Sequence, residues 1–499
     1  MLRPPHPEQE GPTPVTALDR PIDDLLAGYE PGAFTDELVR RPGLDTAVTA
    51  EIRRRLAAYP MEELLRRSRF AERELFNLGI TFLIMSDSQA IDRILPFDVI
   101  PRLITADEWR HLEAGIVQRV QAINLFLHDV YHDGKIFKDG VVPKDLVHGN
   151  ANFVKAMVGL EVPFGTYVHI LGIDLVRDGD GTFRVLEDNA RVPSGVSYVI
   201  ENRHMMQRAF PDLMEGIGVR PVGAYGTRLA DALCTVAPRN DDPSPVVLSP
   251  GSYNSAYFEH VFLAREMGVP LVEGPDLVVA EDDRVYMKTI DGLARVDAIY
   301  RRIGDDFLDP EAFRDDSLIG VPGLMRAYRA GNVALANAPG TGVCDDKAVY
   351  AYMPRIIQYY LDQEAILPNV DTHICREPEG LSYTLDNLDS LVVKPVGEAG
   401  GYGITIGPRA TAAQLEACRE ALLADPANYI SQPVVPLSVC PTVCDTAIEP
   451  RHVDLRPFAV TGDSTWVLPG GLTRVAMRRG SLIVNSSQGG GSKDTWVLE

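Results

Sequence analysis

Two carboxylates and an amide stand out between Ile173 and Asn189: Asp174, Glu187 and Asn189. Apolar and polar residues alternate on both sides of a turn cluster, Asp178, Gly179, Asp180 and Gly181, which is the pattern of two antiparallel strands joined by a tight turn. Side chains repeat with period two along a strand. Asp174, Glu187 and Asn189 therefore share one face in either register the turn allows, and Arg191 continues it. Hard oxygens on a rigid sheet face, with no His or Cys among them, suit Mg²⁺, which takes one or two carboxylates and shares its remaining positions with water and phosphates. The expected guest is a magnesium nucleotide. By itself the pattern also fits an ordinary surface hairpin, so the rest of a phosphate-handling machine has to be found elsewhere in the chain.

Phosphate chemistry is written in the second half. Leu391 to Pro395 reads as a buried strand carrying Lys394, and glycines follow at 397, 400, 401 and 403. A lysine seldom enters a core without an anion to meet, and a glycine-dense loop lets backbone N–H groups close on phosphate oxygens. No G-x-x-x-x-G-K-[ST] is present, so this is not a P-loop. Tyr429 to Val435 is a strand interrupted by Pro433, which cannot extend a ladder and leaves free backbone groups able to read an adenine edge. Arg191, Ser194 and Arg203 lie just beyond the hairpin, where they could hold an anionic group or form structural ion pairs. Asn254 and the Arg301-Arg302 pair end two other strands, and their spacing suggests one shared crevice.

The elements that must position these residues follow from composition and periodicity. A chain of 499 residues with 45% hydrophobic and 24% charged residues is long enough for about three domains. A net charge of −22 argues against non-specific binding to nucleic acid or anionic membrane. No apolar run approaches a membrane span and no signal core opens the chain, so a cytoplasmic location is expected. Six scattered cysteines read as reduced structural thiols. Residues 1–20 are Pro-rich and expected to be disordered, and 21–150 are expected to be mostly helical. The metal hairpin falls within 151–237, and strand–helix–strand alternation over 238–340 implies a parallel α/β sheet. The remainder, 341–499, opens with Asp345-Asp346-Lys347 at the start of a helix expected to run to about Leu361 and finishes on a buriable Trp496-Val497-Leu498.

In this order the parts resemble the ATP-grasp superfamily in its circularly permuted type 2 branch, distant relatives of glutathionylspermidine synthetase-like carboxylate-amine ligases. The resemblance covers about 160 to 499. Lys347, Lys394, the Gly400-Gly401-Tyr402-Gly403 loop, the Gln432 to Val435 hinge, Arg456, Arg474 and Asn485 keep the usual sequence, while the metal hairpin has moved ahead of them all. It implies an α/β (α+β) permuted ATP-grasp fold, with a pre-ATP-grasp α/β domain and a mostly helical N-terminal region. It further implies that Lys347 and Lys394 contact the ATP phosphates, that Gly400, Gly401, Tyr402 and Gly403 form a lid, and that Gln432 and Val434 flank adenine. Asp174, Glu187 and Asn189 would hold Mg²⁺; Arg474, with Lys394 and Arg456, would stabilise the transferred phosphoryl group. Arg191, Ser194, Asn254, Arg301, His452 and Asn485 would contact substrate. Asp174 lacks the basic neighbour two residues upstream that some relatives carry.

The reaction so implied joins a small-molecule or peptide carboxylate to an amine through an acyl phosphate, with ATP converted to ADP and phosphate. A phosphotransferase, or a non-catalytic nucleotide-binding module, would use the same fold. Neither nucleic acid nor membrane is expected as a partner, and the sequence leaves the oligomeric state open.

Overall fold

A computed structural model describes residues 26, 29–39, 46–86, 89–239, 241–397, 403–444, 447–482, 484–485 and 489–499. The segment 1–20, expected to be disordered, lies outside the described residues.

Nine strands among the described residues build the central sheet. Along it lie Thr465–Val467, Phe458–Thr461, Ile170–Arg177, Ala447–Arg456, Leu472–Val475, Gly491–Val497 and Phe97–Ile104, with Val439–Cys444 and Phe183–Asn189 paired at its sides. Alternation along Ile170–Arg177 sorts its side chains by chemistry. Leu171, Ile173 and Leu175 join the core under the helix Ala106–Tyr131. Ile170 faces the other way, into a core shared with the helix Val196–Ala209 and with Phe458, Leu472 and Trp496. Farther along that second face Asp174 looks into a cleft.

The hairpin forms in the register that sets Asp174 opposite Glu187 and Gly172 opposite Asn189. The pairing then slips, Leu175 facing Val185, so Leu186 is one residue too many and the strand bulges beside the carboxylates. A second sheet, antiparallel in the order His373–Ile374, Tyr429–Pro433, Leu391–Pro395, Thr405–Ile406, stands across the cleft. Val393 packs behind it against Cys418 and Leu422, which leaves Val392 and Lys394 on the front. Pro433 ends its strand, as a residue without an N–H should. The third unit is parallel throughout, Ala334–Ala336, Ala298–Arg301, Pro245–Ser249, Leu271–Glu273, as the strand–helix alternation implied.

The N-terminal region is mostly helical, but Thr81–Ser86, Gln89–Ile94 and Phe97–Ile104 are strands, and the last runs parallel to Gly491–Val497. Pro101 concealed it, because proline argues against a strand interior. Here Lys493 faces Asp98 and Thr495 faces Arg102, so Val99, Ile100 and Pro101 bulge against a single residue. The helix expected from Lys347 to Leu361 is two, Lys347–Ala351 and Met353–Leu361. Pro354 sits in the first turn of the second, where its missing N–H has no intrahelical partner to lose.

Candidate active site

The two sheets enclose a cleft of about 240 Å³. From the central sheet Asp174, Glu187, Asp454 and Arg474 face it; from the opposite sheet come Lys394, Gln432 and Val434; Lys347 and Asn485 complete the polar lining. The rest of the lining is largely apolar, Val392, Ile404 and Ile406 from the side of the smaller sheet and Leu437 and Val484 from the side of Val176. A flat heteroaromatic ring fits such a lining.

Asp174 is buried and already paired. Arg456 donates both Nε and Nη2 to its two oxygens, the latter at 2.9 Å, and Arg474 Nη2 donates to Oδ2 at 2.6 Å. Arg474 also donates through Nε to Asp454 at 2.9 and 3.0 Å. Its guanidinium is thus gripped from two sides before any ligand arrives. The basic partners that sequence did not place next to Asp174 come from two other strands. Burial opposes ionisation of Asp174, yet the Arg456 and Arg474 charges outweigh it and hold the carboxyl well below the usual range.

Glu187 behaves differently. Its side chain is 31% exposed, and its nearest cations, Lys347 Nζ and Arg456 Nη2, are both 4.0 Å away. Burial of the site and the neighbouring Asp174 push its carboxyl upward. Across the cleft Lys394 Nζ donates to Gln432 Oε1 at 2.6 Å, and Gln432 Nε2 donates to Thr372 Oγ1 at 2.9 Å. Burial lowers Lys394 to about 8, the Lys347 charge acting in the same direction and Glu187 against it.

Several contacts fix this geometry from behind. Arg119, on the helix Ala106–Tyr131, grips Asp188 through two 2.7 Å bonds and reaches Asn369 at 2.9 Å. Asn337 accepts from the N–H groups of His169 and Ile170 and donates to the carbonyls of Ile170 and Ala190, all at 2.7 Å. Asp346 caps the helix that begins at Lys347, accepting from the N–H groups of Ala348 and Val349. Asp345 accepts from the N–H groups of Ala190 at 2.6 Å and Arg191 at 3.1 Å. Burial raises its carboxyl to about 7 despite these donors.

The other residues singled out in the sequence are placed as follows. Arg456 sits behind Asp174 rather than on the cleft wall. Asn189 ends its strand with Nδ2 buried and without a hydrogen-bond partner. Gly403 has φ +69°, and a Cβ there would approach Pro395 Cγ to 2.9 Å, so only glycine fits. Gly400, Gly401 and Tyr402 lie outside the described residues.

Five expected substrate contacts are not brought to this cleft. Arg301 is buried, donating to the carbonyls of Ile303, Asn337 and Ala338 and pairing with Asp305 at 2.7 Å. His452 packs edge-on against Phe34, its Nδ1 2.9 Å from the Leu437 carbonyl. Asn254 accepts from Ala256 N within its own loop. Ser194 Oγ accepts from Arg302, whose guanidinium is also paired with Glu259. Arg191 is half-exposed, 3.9 Å from Asp345. The first four have local partners that spacing alone does not reveal. Arg203, another cation near the hairpin, is likewise committed, to Asp494 and the carbonyls of Arg220 and Thr495.

Sequence reasoning passed over Asp454. The signal was available: it stands two residues before Arg456 and therefore on the same face of one strand. The apolar lining was missed for a plainer reason, since valines and leucines in strands read as core.

The family profile described as "Circularly permuted ATP-grasp type 2" matches residues 101–476. The sequence is 53% identical over 476 residues to a protein of Synechocystis sp. named only as uncharacterised, covering 95% of this chain and 99% of that one. It is 45% identical over 487 residues to "Putative glutamate--cysteine ligase 2-3" of Frankia alni, covering 97% of this chain but 56% of the Frankia protein. Among solved structures, a glutathione synthetase-like effector from Globodera pallida superposes with a TM-score of 0.56 at 12% identity, over 87% of this chain and 97% of its own. That likeness speaks to the fold alone.

Proposed function

This chain belongs to the circularly permuted ATP-grasp type 2 family, and from that premise we propose an ATP-dependent carboxylate–amine ligase that works through an acyl phosphate. The observation that carries the proposal is the convergence of Lys347, Lys394, Glu187 and Arg474 on one cleft from separate elements. Two lysines meet the phosphates of ATP, and the apolar lining beside Val434 receives the adenine.

The donor set fits Mg²⁺. Glu187 and Asp174 face each other as register partners, Glu187 makes only 4.0 Å contacts with cations, and Asn189, whose side-chain oxygen is the atom able to ligate, follows on the same strand. Asp174, Glu187 and Asn189 would hold the ion, which when bound draws charge from the phosphate oxygens. The protein's own part is orientation and charge. Asp174 and Asp454 hold the Arg474 guanidinium fixed, so it meets developing negative charge without reorganising. A substrate carboxylate oxygen bonds to the γ-phosphorus, and the bond to the bridging oxygen breaks to release ADP. An amine then attacks the acyl carbon, phosphate leaves, and the amine's surplus proton is lost. Little covalent work falls to the protein, in keeping with a cleft lining that holds no Ser, Thr or Cys among the described residues. The Frankia alni relative carries the name of a putative glutamate–cysteine ligase, which agrees with this class.

Calorimetry of ATP with Mg²⁺ tests the reading. Wild type is expected to bind, and Glu187→Ala and Lys394→Ala to lose affinity at least tenfold. A wild type that ignores ATP at millimolar concentration, or a Glu187→Ala variant with unchanged Mg²⁺ dependence, would refute it. Binding established, ADP release is then screened against acids and amines, and an amide product is expected.

A further inference from the structure

A second group of ligating side chains lies away from the cleft, at the far end of the helix Ala106–Tyr131. His128 and His132 are four residues apart, with their rings stacked at 4.3 Å between centroids. Glu161 reaches toward them from the segment after the helix Lys144–His148, its Oε1 3.4 Å from His132 Nε2. One ligand atom from each of the three lies within 4.8 Å of the others, the only such His/Cys/Asp/Glu group among the described residues.

The hydrogen bonding says which atoms are free. His132 Nδ1 is 2.9 Å from the His128 carbonyl oxygen, an acceptor only, so Nδ1 carries the proton and Nε2 presents its lone pair. That is the arrangement in which a backbone carbonyl fixes the tautomer of a metal-binding histidine. His132 Nε2 and His128 Nδ1 are both buried and lack hydrogen-bond partners. Two buried imidazole nitrogens without hydrogen bonds incur a desolvation penalty, and the charged group set against them is Glu161, 3.4 Å from His132 Nε2. Tyr167 Oη, also buried and without a partner, is close enough to Glu161 to feel its charge.

We propose that His128, His132 and Glu161 form a binding site for a borderline transition-metal dication, Zn²⁺ being the natural occupant, separate from the Mg²⁺–nucleotide cleft. Two imidazoles, one carboxylate and a water complete a tetrahedral shell, and nitrogen favours Zn²⁺ over Mg²⁺. Zn–N bonds of about 2.0–2.1 Å put neighbouring ligand atoms about 3.4 Å apart; Glu161 Oε1 and His132 Nε2 already stand at 3.4 Å, and all three atoms lie within 4.8 Å of one another. Glu161, whose side chain is 81% exposed, is free to adjust to the ion. The ion would tie the helix end to the segment holding Glu161. Tyr131, next to His132, donates to the Gly340 carbonyl just before the turn Thr341–Asp345, so this pinned end abuts the approach to Lys347.

The test uses the full chain, stripped with chelator and kept in excess Mg²⁺. Zn²⁺ is titrated against a chromophoric chelator, and Co²⁺ absorption is recorded in the visible. Wild type is expected to bind one equivalent with a tetrahedral Co²⁺ band. His128→Ala and Glu161→Gln should each weaken binding at least tenfold and remove the band, whereas His111→Ala, an exposed histidine on the same helix, should change neither. Glu161 is exposed, so its variant retains the fold. Zn²⁺ affinity in Glu161→Gln equal to wild type, or no wild-type binding at tens of micromolar Zn²⁺, would overturn the assignment.

Discussion

The Lys394 ammonium gives the candidate site a pH signature that follows from its burial. A lysine at about 8 rather than its ordinary 10.5 is half-neutral at pH 8 and about 90% neutral at pH 9. If only the protonated form meets the phosphates, the apparent Kd of Mg²⁺–ATP scales inversely with the charged fraction. That fraction falls from about 0.9 at pH 7 to about 0.09 at pH 9, so affinity weakens about tenfold over those two units. A lysine at its ordinary value would lose only a few per cent over the same range. Binding at pH 8 should take up about half a proton, which calorimetry in two buffers of different ionisation enthalpy measures directly. Arginine does not titrate here, so Lys394→Arg separates this effect from every other group. Its affinity, lower or not, should be flat between pH 7 and 9. The reasoning fails if wild type is flat too, or if Lys394→Arg shows the same tenfold fall.

Three further outcomes are expected. Asp345, raised to about 7 by burial, stays protonated in the fold at pH values where the unfolded chain has lost the proton. Its stabilising contribution is therefore full below pH 3.8 and is lost as pH rises to 7, by at most about 4 kcal/mol. Asp345→Asn keeps an oxygen for the Ala190 N–H, so thermal unfolding should show a higher melting temperature than wild type at pH 8, with the gap closing toward pH 4. Arg119→Leu leaves Asp188 buried without its cation and should destabilise by about 3–5 kcal/mol. Hydrogen exchange should localise that loss to the hairpin 170–189, and unchanged protection there would remove Arg119 from the positioning role. Arg474→Lys keeps one charge but loses the fork that spans Asp174 and Asp454. Turnover should fall by at least 100-fold with Mg²⁺–ATP affinity changed less than tenfold, as compared by steady-state kinetics and calorimetry.

The carboxylate hairpin was legible because period-two alternation is a local rule: Asp174, Glu187 and Asn189 had to share a face whatever they faced. Lys394 was legible for a related reason, a charged residue set in an apolar strand being conspicuous, and Gln432 through the family resemblance. The same rule would have exposed Asp454, had the residue two before Arg456 been read as carefully as Arg456 itself. Local rules say nothing about what lies opposite. Arg301, Ser194 and His452 were expected to contact substrate from the family resemblance and their polar side chains. Only the packed chain offered Asp305 and the carbonyls to Arg301, Arg302 to Ser194 and the Leu437 carbonyl to His452.

What the sequence determined by itself is the inventory and its order: two lysines, a proline-ended strand, the arginines and a displaced carboxylate hairpin, all fixed by residue type and short-range periodicity. Tertiary structure alone decided that Asp174 is held by two arginines from strands some 280 to 300 residues away, and that Glu187 is left open. It also decided that two histidines at one helix end face a glutamate from another segment. The division has a physical cause. Backbone geometry sets which side a residue takes from its neighbours alone, whereas pairing, desolvation and the pKa values that follow depend on charges brought near by long-range packing.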